Sequence, residues 1–251
     1  MLHRVSSAVN NWFRRRGYEV RRVDPRSHYE RVVVPMRLYT ERALAIDVRH
    51  HGQTLEDVIA LRDRYAAPVF GRVRVWDLIQ RLGTIVDPTD QALFCTSQLT
   101  HVLQVLEGME RDGIDDPDLV LAALIHDLGK LLLATDEDPA NVVSLNRPIG
   151  EYECGVGLDH TVMEWNHDEF GYSRFKDHVP DHVAWLIRYH SIDIDECRGL
   201  MDARDRDYTD RYLRVFSRYD HGTKSPYRLP SRPIEDYREV VERAFPEPVL
   251  F

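Results

Sequence analysis

The sequence predicts an all-α fold: a helical bundle closed around a buried polar centre, with a short irregular or β-hairpin extension at its N-terminus. Three observations carry that expectation. From about Leu55 onward apolar residues recur at helical spacing. Five of these segments each turn a His or an Asp toward their apolar side. Strand-like runs are confined to "YEVRRV" and "YERVVVP", ahead of Arg37.

At 251 residues, 43% hydrophobic and 30% charged, the chain matches one large globular domain or a domain with an extension. We read residues 37–251 as that domain and residues 1–36 as an N-terminal arm. The net charge of −9 gives no general attraction to nucleic acid or anionic membrane. Residues 1–36 are the exception in sign, with eight Arg against three acids, and a solvated arm explains them more simply than a phosphate-binding surface. No apolar run is long enough to span a bilayer, and the N-terminus lacks the hydrophobic segment of a signal peptide, so a soluble, cytoplasmic protein is expected. Cys95, Cys154 and Cys197 are too few and too scattered for a disulfide framework or a CxxC clip.

The elements follow in order. In "ALFCTSQLTHVLQVLEGM", Phe94, His101 and Val105 align on one helical face. In "DDPDLVLAALIHDLGK", Asp116 is placed to cap a helix with Pro117 at its first position, where a missing N–H is not needed. The buried run 119–134 continues from there until His126 and Asp127 interrupt it. "TVMEWNHDEFGY" sets Met163, His167 and Phe170 on one face. "VPDHVAWLIRYHS" does the same with Val183, Leu186, Ile187 and His190, and "DRYLRVFSRYD" with Leu213, Phe216 and Asp220.

Taken singly, each inward residue has a plain explanation, a hydrogen-bonded core histidine or half of an ion pair. Together, four His and two Asp from five segments point to a metal centre, because buried imidazoles and carboxylates need a compensating cation or partner. The set His101, His126, Asp127, His167, His190 and Asp220 contains no thiolate, which suits Fe, Mn or Co and disfavours a structural zinc site. Six side chains exceed what one open catalytic ion takes. They suit two ions about 3.5 to 4 Å apart sharing a carboxylate, and Asp127, beside His126, is the natural bridge.

The separated His, the adjacent "HD" and the later Asp resemble the HD-domain superfamily, a helical metal-binding fold. A closer resemblance is to the myo-inositol oxygenase family within it, from about Arg37 to the C-terminus. It rests on "HHGQTLEDVIALR", "IVDPTD", "LIHDLGK", "CGVGLDHTVMEWNHDEF", "IRYHS" and "YDHGTK" in that order. "HDLGK" alone is weak, since two-metal phosphodiesterases carry nearly the same string. The resemblance implies the same six residues as iron ligands, an Fe(II)/Fe(III) pair, O₂ as co-substrate, and four-electron cleavage of a ring C–C bond of a cyclitol to an open-chain uronic acid. It also implies a small-molecule polyol pocket made by Arg37, Asp87, Asp90, Lys130, Ser191 and Lys224, with Lys130 favouring the substrate alkoxide. Each has a simpler alternative: surface lysines, a turn cap before Pro88 for Asp87, a helix end for Ser191.

One departure stands out. Where the family has a Gly-Asp pair that holds substrate hydroxyls, this chain has Ser144 and Leu145, so the metal chemistry looks kept while the substrate is open. Two other classes compete with the oxygenase. A two-metal phosphohydrolase would use Lys130 against phosphate, but Asp87 and Asp90 suit hydroxyls better. A silent scaffold has no need of six inward metal-binding groups.

Overall fold

The computed structural model describes residues 18–22, 31–90, 92–93 and 96–251, with side chains from residue 40 onward. Strands β1 (Tyr18–Arg22) and β2 (Arg31–Pro35) pair antiparallel, Tyr18 opposite Pro35 and Arg22 opposite Arg31, which is the hairpin form of the expected extension. β2 passes directly into helix α1 (Met36–His50), an element the sequence reading does not single out. α2 (Leu55–Arg64) follows, started by a reciprocal capping box between Thr54 and Asp57.

Among the described residues the remaining regular elements are helical apart from β3 (Arg72–Val73) and β4 (Val249–Leu250), two short strands that tie the C-terminus back to the first third of the molecule. α3 (Val75–Arg81) precedes α4 (Gln98–Arg111), which is capped by the Ser97 hydroxyl accepting from Thr100 N. Phe94 lies outside the described residues, and α4 starts after it; His101 and Val105 share the buried side of α4 as expected. α5 (Pro117–Ile125) is started by Asp116 with Pro117 in its first turn, again as expected.

The buried run then changes character. After Ile125 the chain leaves the α-helix at Asp127 (φ −93°, ψ 6°) and continues as a 3₁₀ helix over Leu128–Ala134. Gly129 lets this happen against a neighbour: a Cβ there would sit 2.1 Å from the His167 carbonyl oxygen, so only glycine permits the two backbones to touch.

α6 (His167–Phe175) begins at His167, capped by the Asn166 side chain. This corrects one expectation: Met163 precedes the helix, pairing in extended form with Pro148, and so shares no helical face with His167. The physical reason is the cap, since Asn166 accepts from Asp168 N and sets the helix start. α7 (Asp181–Tyr189) buries Val183, Leu186 and Ile187 with His190 at its C-terminal end, the expected face. α8 (Ile194–Cys197), α9 (Ala203–Tyr208), a π turn (Thr209–Leu213), α10 (Arg214–Gly222) and α11 (Arg238–Ala244) complete the bundle. Leu213, Phe216 and Asp220 are all buried.

α5 lies at the centre, packed by α4, α7, α10 and α11, and α6 packs on α7 and on the 3₁₀ segment. Every residue of α5 from Leu121 to Ile125 is buried, so its C-terminal end delivers His126 and Asp127 into the middle of the molecule. Among the described residues no helix is long and apolar enough to cross a membrane. Cys154 is exposed and Cys197 buried, both free thiols.

Candidate metal centre and substrate cleft

Five elements end or pass at one point. α4 brings His101, the end of α5 brings His126 and Asp127, α6 brings His167, the end of α7 brings His190, and α10 brings Asp220; all six side chains are buried. Three imidazoles are oriented by the same device. Nδ1 of His126 faces the Ala123 carbonyl at 3.0 Å, Nδ1 of His167 the Val142 carbonyl at 2.7 Å, and Nδ1 of His190 the Ile187 carbonyl at 2.9 Å. A carbonyl only accepts, so each Nδ1 carries the proton and each Nε2 turns inward.

Asp127 occupies the middle. Its Oδ2 lies 3.3 Å from His126 Nε2 and 3.7 Å from His101 Nε2, while its Oδ1 lies 3.2 Å from His167 Nε2 and 3.7 Å from His190 Nε2. One carboxylate therefore presents a separate oxygen to each of two imidazole pairs. Asp220 closes the first pair, with Oδ1 2.8 Å from His101 Nε2 and 3.9 Å from His126 Nε2.

Among the described residues, both oxygens of Asp127 and the Nε2 atoms of His126 and His167 have no hydrogen-bond partner, though each is fully buried. Lone pairs of neutral imidazoles aimed at carboxylate oxygens repel one another, and a dry interior does not screen them. Cations placed between them remove the conflict, so the donor set fits metal ions. Without a metal, positive charge from protons takes up part of that role. Burial alone would raise Asp127, but the His126 ring and the Lys130 ammonium outweigh it and hold the carboxyl well below its usual range. Burial pushes His190 down, yet Asp168 and Asp127 overcome it and raise the imidazole to about 9; a metal there would displace that proton.

Asp168 is a site residue that sequence reasoning missed. Fully buried, it accepts from the Ser191 hydroxyl and from Ser191 N at 3.3 Å, and its Oδ1 stands 3.0 Å from His167 Nε2. The signal was the second "HD", His167–Asp168, which reads as an ordinary first-turn acid of a helix.

A cleft of about 430 Å³ opens onto this centre, lined among others by Asp87, Asp90, Lys130, Ser191 and Lys224. These five expected substrate residues are thus brought together. Lys130 Nζ lies 3.1 Å from Asp87 Oδ2 and 3.1 Å from Asp127 Oδ1, and donates to Gln98 Oε1. Burial would discharge this ammonium, but Asp127, Asp87, Asp90 and Asp220 together push its pKa up. Asp87 also accepts from the backbone and hydroxyl of Thr89, so it caps its turn and faces the cleft at once. Lys224 pairs with Asp90 at 2.8 Å. Arg37 is the second residue of α1, and its side chain lies outside those described. Ser144 and Leu145 do line the cleft; Ser144 keeps φ +88°, a conformation that favours glycine, and its hydroxyl donates to Asp47.

Comparison with known proteins places the chain in a family. The family described as myo-inositol oxygenase matches residues 42–144 and 135–251. The chain is 30% identical to a probable inositol oxygenase of Oryza sativa subsp. japonica, covering 79% of this chain and 77% of that one. It is 29% identical to inositol oxygenase 1 of Arabidopsis thaliana (76% and 73%) and 24% identical to the inositol oxygenase of Rattus norvegicus (70% and 74%). With matches spanning nearly the whole chain beyond α1, the protein belongs to the myo-inositol oxygenase family.

Proposed function

We propose that the chain is an O₂-dependent oxygenase of myo-inositol or a related cyclitol, working with two irons in a mixed-valent Fe(II)/Fe(III) pair. One observation carries this: the two oxygens of buried Asp127 each face a different pair of imidazoles, the arrangement a bridging carboxylate needs. His101, His126 and Asp220 would hold one ion, His167 and His190 the other, and Asp127 both. When bound, such a pair would supply Lewis acidity toward adjacent oxygens of a diol and a redox-active partner for O₂; the four electrons that O₂ takes up come from the substrate itself, so that C–C cleavage to an open-chain uronic acid and water requires no outside reductant.

The chain's own residues do the rest. The Lys130 ammonium, beside Asp127, stabilises negative charge on a substrate oxygen as its proton leaves. Asp87 and Asp90 accept from ring hydroxyls, and Lys130 and Lys224 hold the two carboxylates in place. Ser191, and Arg37 from α1, complete the pocket. Residues 37–251 form the catalytic domain of a cytoplasmic protein, and 1–36 an extension to it.

A two-metal phosphohydrolase is the competing reading. The cleft argues against it: each lining lysine is already paired with an acid, leaving negative charge in excess against a phosphate. EPR of anaerobically iron-loaded, partially oxidised protein decides the matter. A coupled Fe(II)/Fe(III) signal that changes on adding myo-inositol supports the oxygenase and the cyclitol. A mixed-valent signal indifferent to inositol keeps the oxygenase and moves the substrate elsewhere. No mixed-valent state at all sinks it.

A further inference from the structure

At the C-terminal end of α1, away from the metal-facing residues, a fully buried imidazole is held from both edges. His50 Nδ1 lies 2.9 Å from the Ala140 carbonyl oxygen, and its Nε2 lies 3.1 Å from the Leu145 carbonyl oxygen. Both partners are acceptors only, so both ring nitrogens must donate, and the ring that fits is the imidazolium. Its counter-charge is present. Glu164, also buried, places Oε2 3.3 Å from His50 Nε2, and the same carboxylate faces His51 Nδ1 at 3.0 Å and accepts from Arg147 N. Burial works to raise Glu164, while His50 and His51 outweigh it and hold the carboxyl below its usual range.

The two carbonyls bracket a segment that serves the site twice. Between them, the Val142 carbonyl accepts from His167 Nδ1 at 2.7 Å and from His167 N at 3.0 Å, which fixes the ring and the first residue of α6. Ser144 donates its hydroxyl to Asp47, offers its carbonyl to Asn166, and lines the cleft with Leu145. A chain with a non-glycine residue at φ +88° does not hold that path unaided.

We infer that His50, charged and paired with Glu164, is a positioning residue: a two-pronged clamp on Ala140 and Leu145 that sets the 140–145 segment, and through it the His167 ring and one wall of the cleft. The inference rests on hydrogen-bond geometry and stands whichever substrate the cleft takes.

The test uses the full chain and reads no turnover. Two-bond ¹H–¹⁵N spectra of ¹⁵N-histidine-labelled protein, assigned by comparison with His50→Gln, should show both His50 nitrogens protonated. Hydrogen exchange in peptides covering 140–146 should quicken by about tenfold or more in His50→Gln, with α4 and α5 peptides unchanged. Ferrous-ion affinity of the site that His167 would serve should fall by about 10- to 100-fold, as when a ligand's orienting partner is lost. Glu164→Gln, which keeps the shape and removes the counter-charge, should move the same peptide in the same direction, and it serves alone if His50→Gln does not fold. A neutral-tautomer spectrum for His50 overturns the clamp. So does unchanged exchange at 140–146 in the folded variants.

Discussion

Asp127 and Asp205 are both carboxylates buried in the interior of this bundle, and their surroundings are opposites. Asp205 is satisfied by the protein itself. Its Oδ2 accepts from Leu158 N at 2.7 Å and Asp202 N at 3.2 Å, and its Oδ1 accepts from Trp185 Nε1 at 2.9 Å. Asp127 has no hydrogen-bond donor of good geometry on either oxygen, and faces the Nε2 atoms of four imidazoles and one ammonium. A buried carboxylate whose lone pairs are all answered holds the fold together; one whose lone pairs converge with those of its neighbours is arranged for a guest.

The largest effect that would break this contrast is on Asp127. Asp127→Ala should lower bound metal from about two ions per chain to about one or fewer, by elemental analysis. Inositol-dependent O₂ consumption should fall by on the order of 10³-fold, beyond the 10- to 100-fold typical of an outer partner. An Asp127→Ala protein that binds both ions would remove the bridge from the mechanism.

Asp205→Ala should do the reverse. It strips partners from the buried Leu158 N–H and Trp185 indole N–H, at about 1 to 3 kcal/mol for each buried group left unsatisfied, and from the part-buried Asp202 N–H. Urea unfolding should therefore show a loss of about 3 kcal/mol or more, with metal content per folded chain unchanged. An unshifted midpoint would mean that Asp205 is not the structural node its bonds suggest.

The same pair explains what the sequence could and could not disclose. His101, His126, Asp127, His190 and Asp220 were legible because each sits as a polar interruption in an apolar helical face, and burial follows from the neighbours. Asp205 lies in "MDARDRDY", where a charged run reads as solvated surface, and only the packing of α9 against Trp185 buries it. Asp168 was hidden for a related reason, as a helix-start acid beside a residue already chosen. The switch from α to 3₁₀ after Asp127 depends on Gly129 meeting the His167 backbone, a contact between residues 38 positions apart that no local pattern contains. The start of α6 was misplaced because a Met at helical spacing counted for more than the Asn166 cap.

Protons sharpen the contrast next. Because His190 is raised to about 9, above the ordinary value of 6.5, its bound proton stabilises the metal-free protein fully below about pH 6.5, and that contribution disappears as pH rises through 9. Metal must displace the same proton. Apparent affinity should therefore weaken by about tenfold, or 1.4 kcal/mol, for each pH unit below 9, and titration of metal into apoprotein near neutral pH should release protons. Calorimetry in buffers of different ionisation enthalpy measures this release. Affinity that stays flat with pH would mean that His190 does not exchange a proton for a metal.

The smallest effect belongs to charges that water already answers. Arg238 Nε and Glu242 Oε1 lie 2.7 Å apart, closer than Lys130 is to Asp127, yet both side chains are about half exposed. Solvent screens the pair and competes for each partner, so Glu242→Ala should change the unfolding free energy by no more than about 0.5 kcal/mol and leave metal content untouched. Distance alone would rank this pair above the Lys130–Asp127 contact. If Glu242→Ala proved as costly as Asp205→Ala, burial would not be what separates a carboxylate that holds the fold from one that decorates it, and the contrast between Asp127 and Asp205 would lose its physical basis.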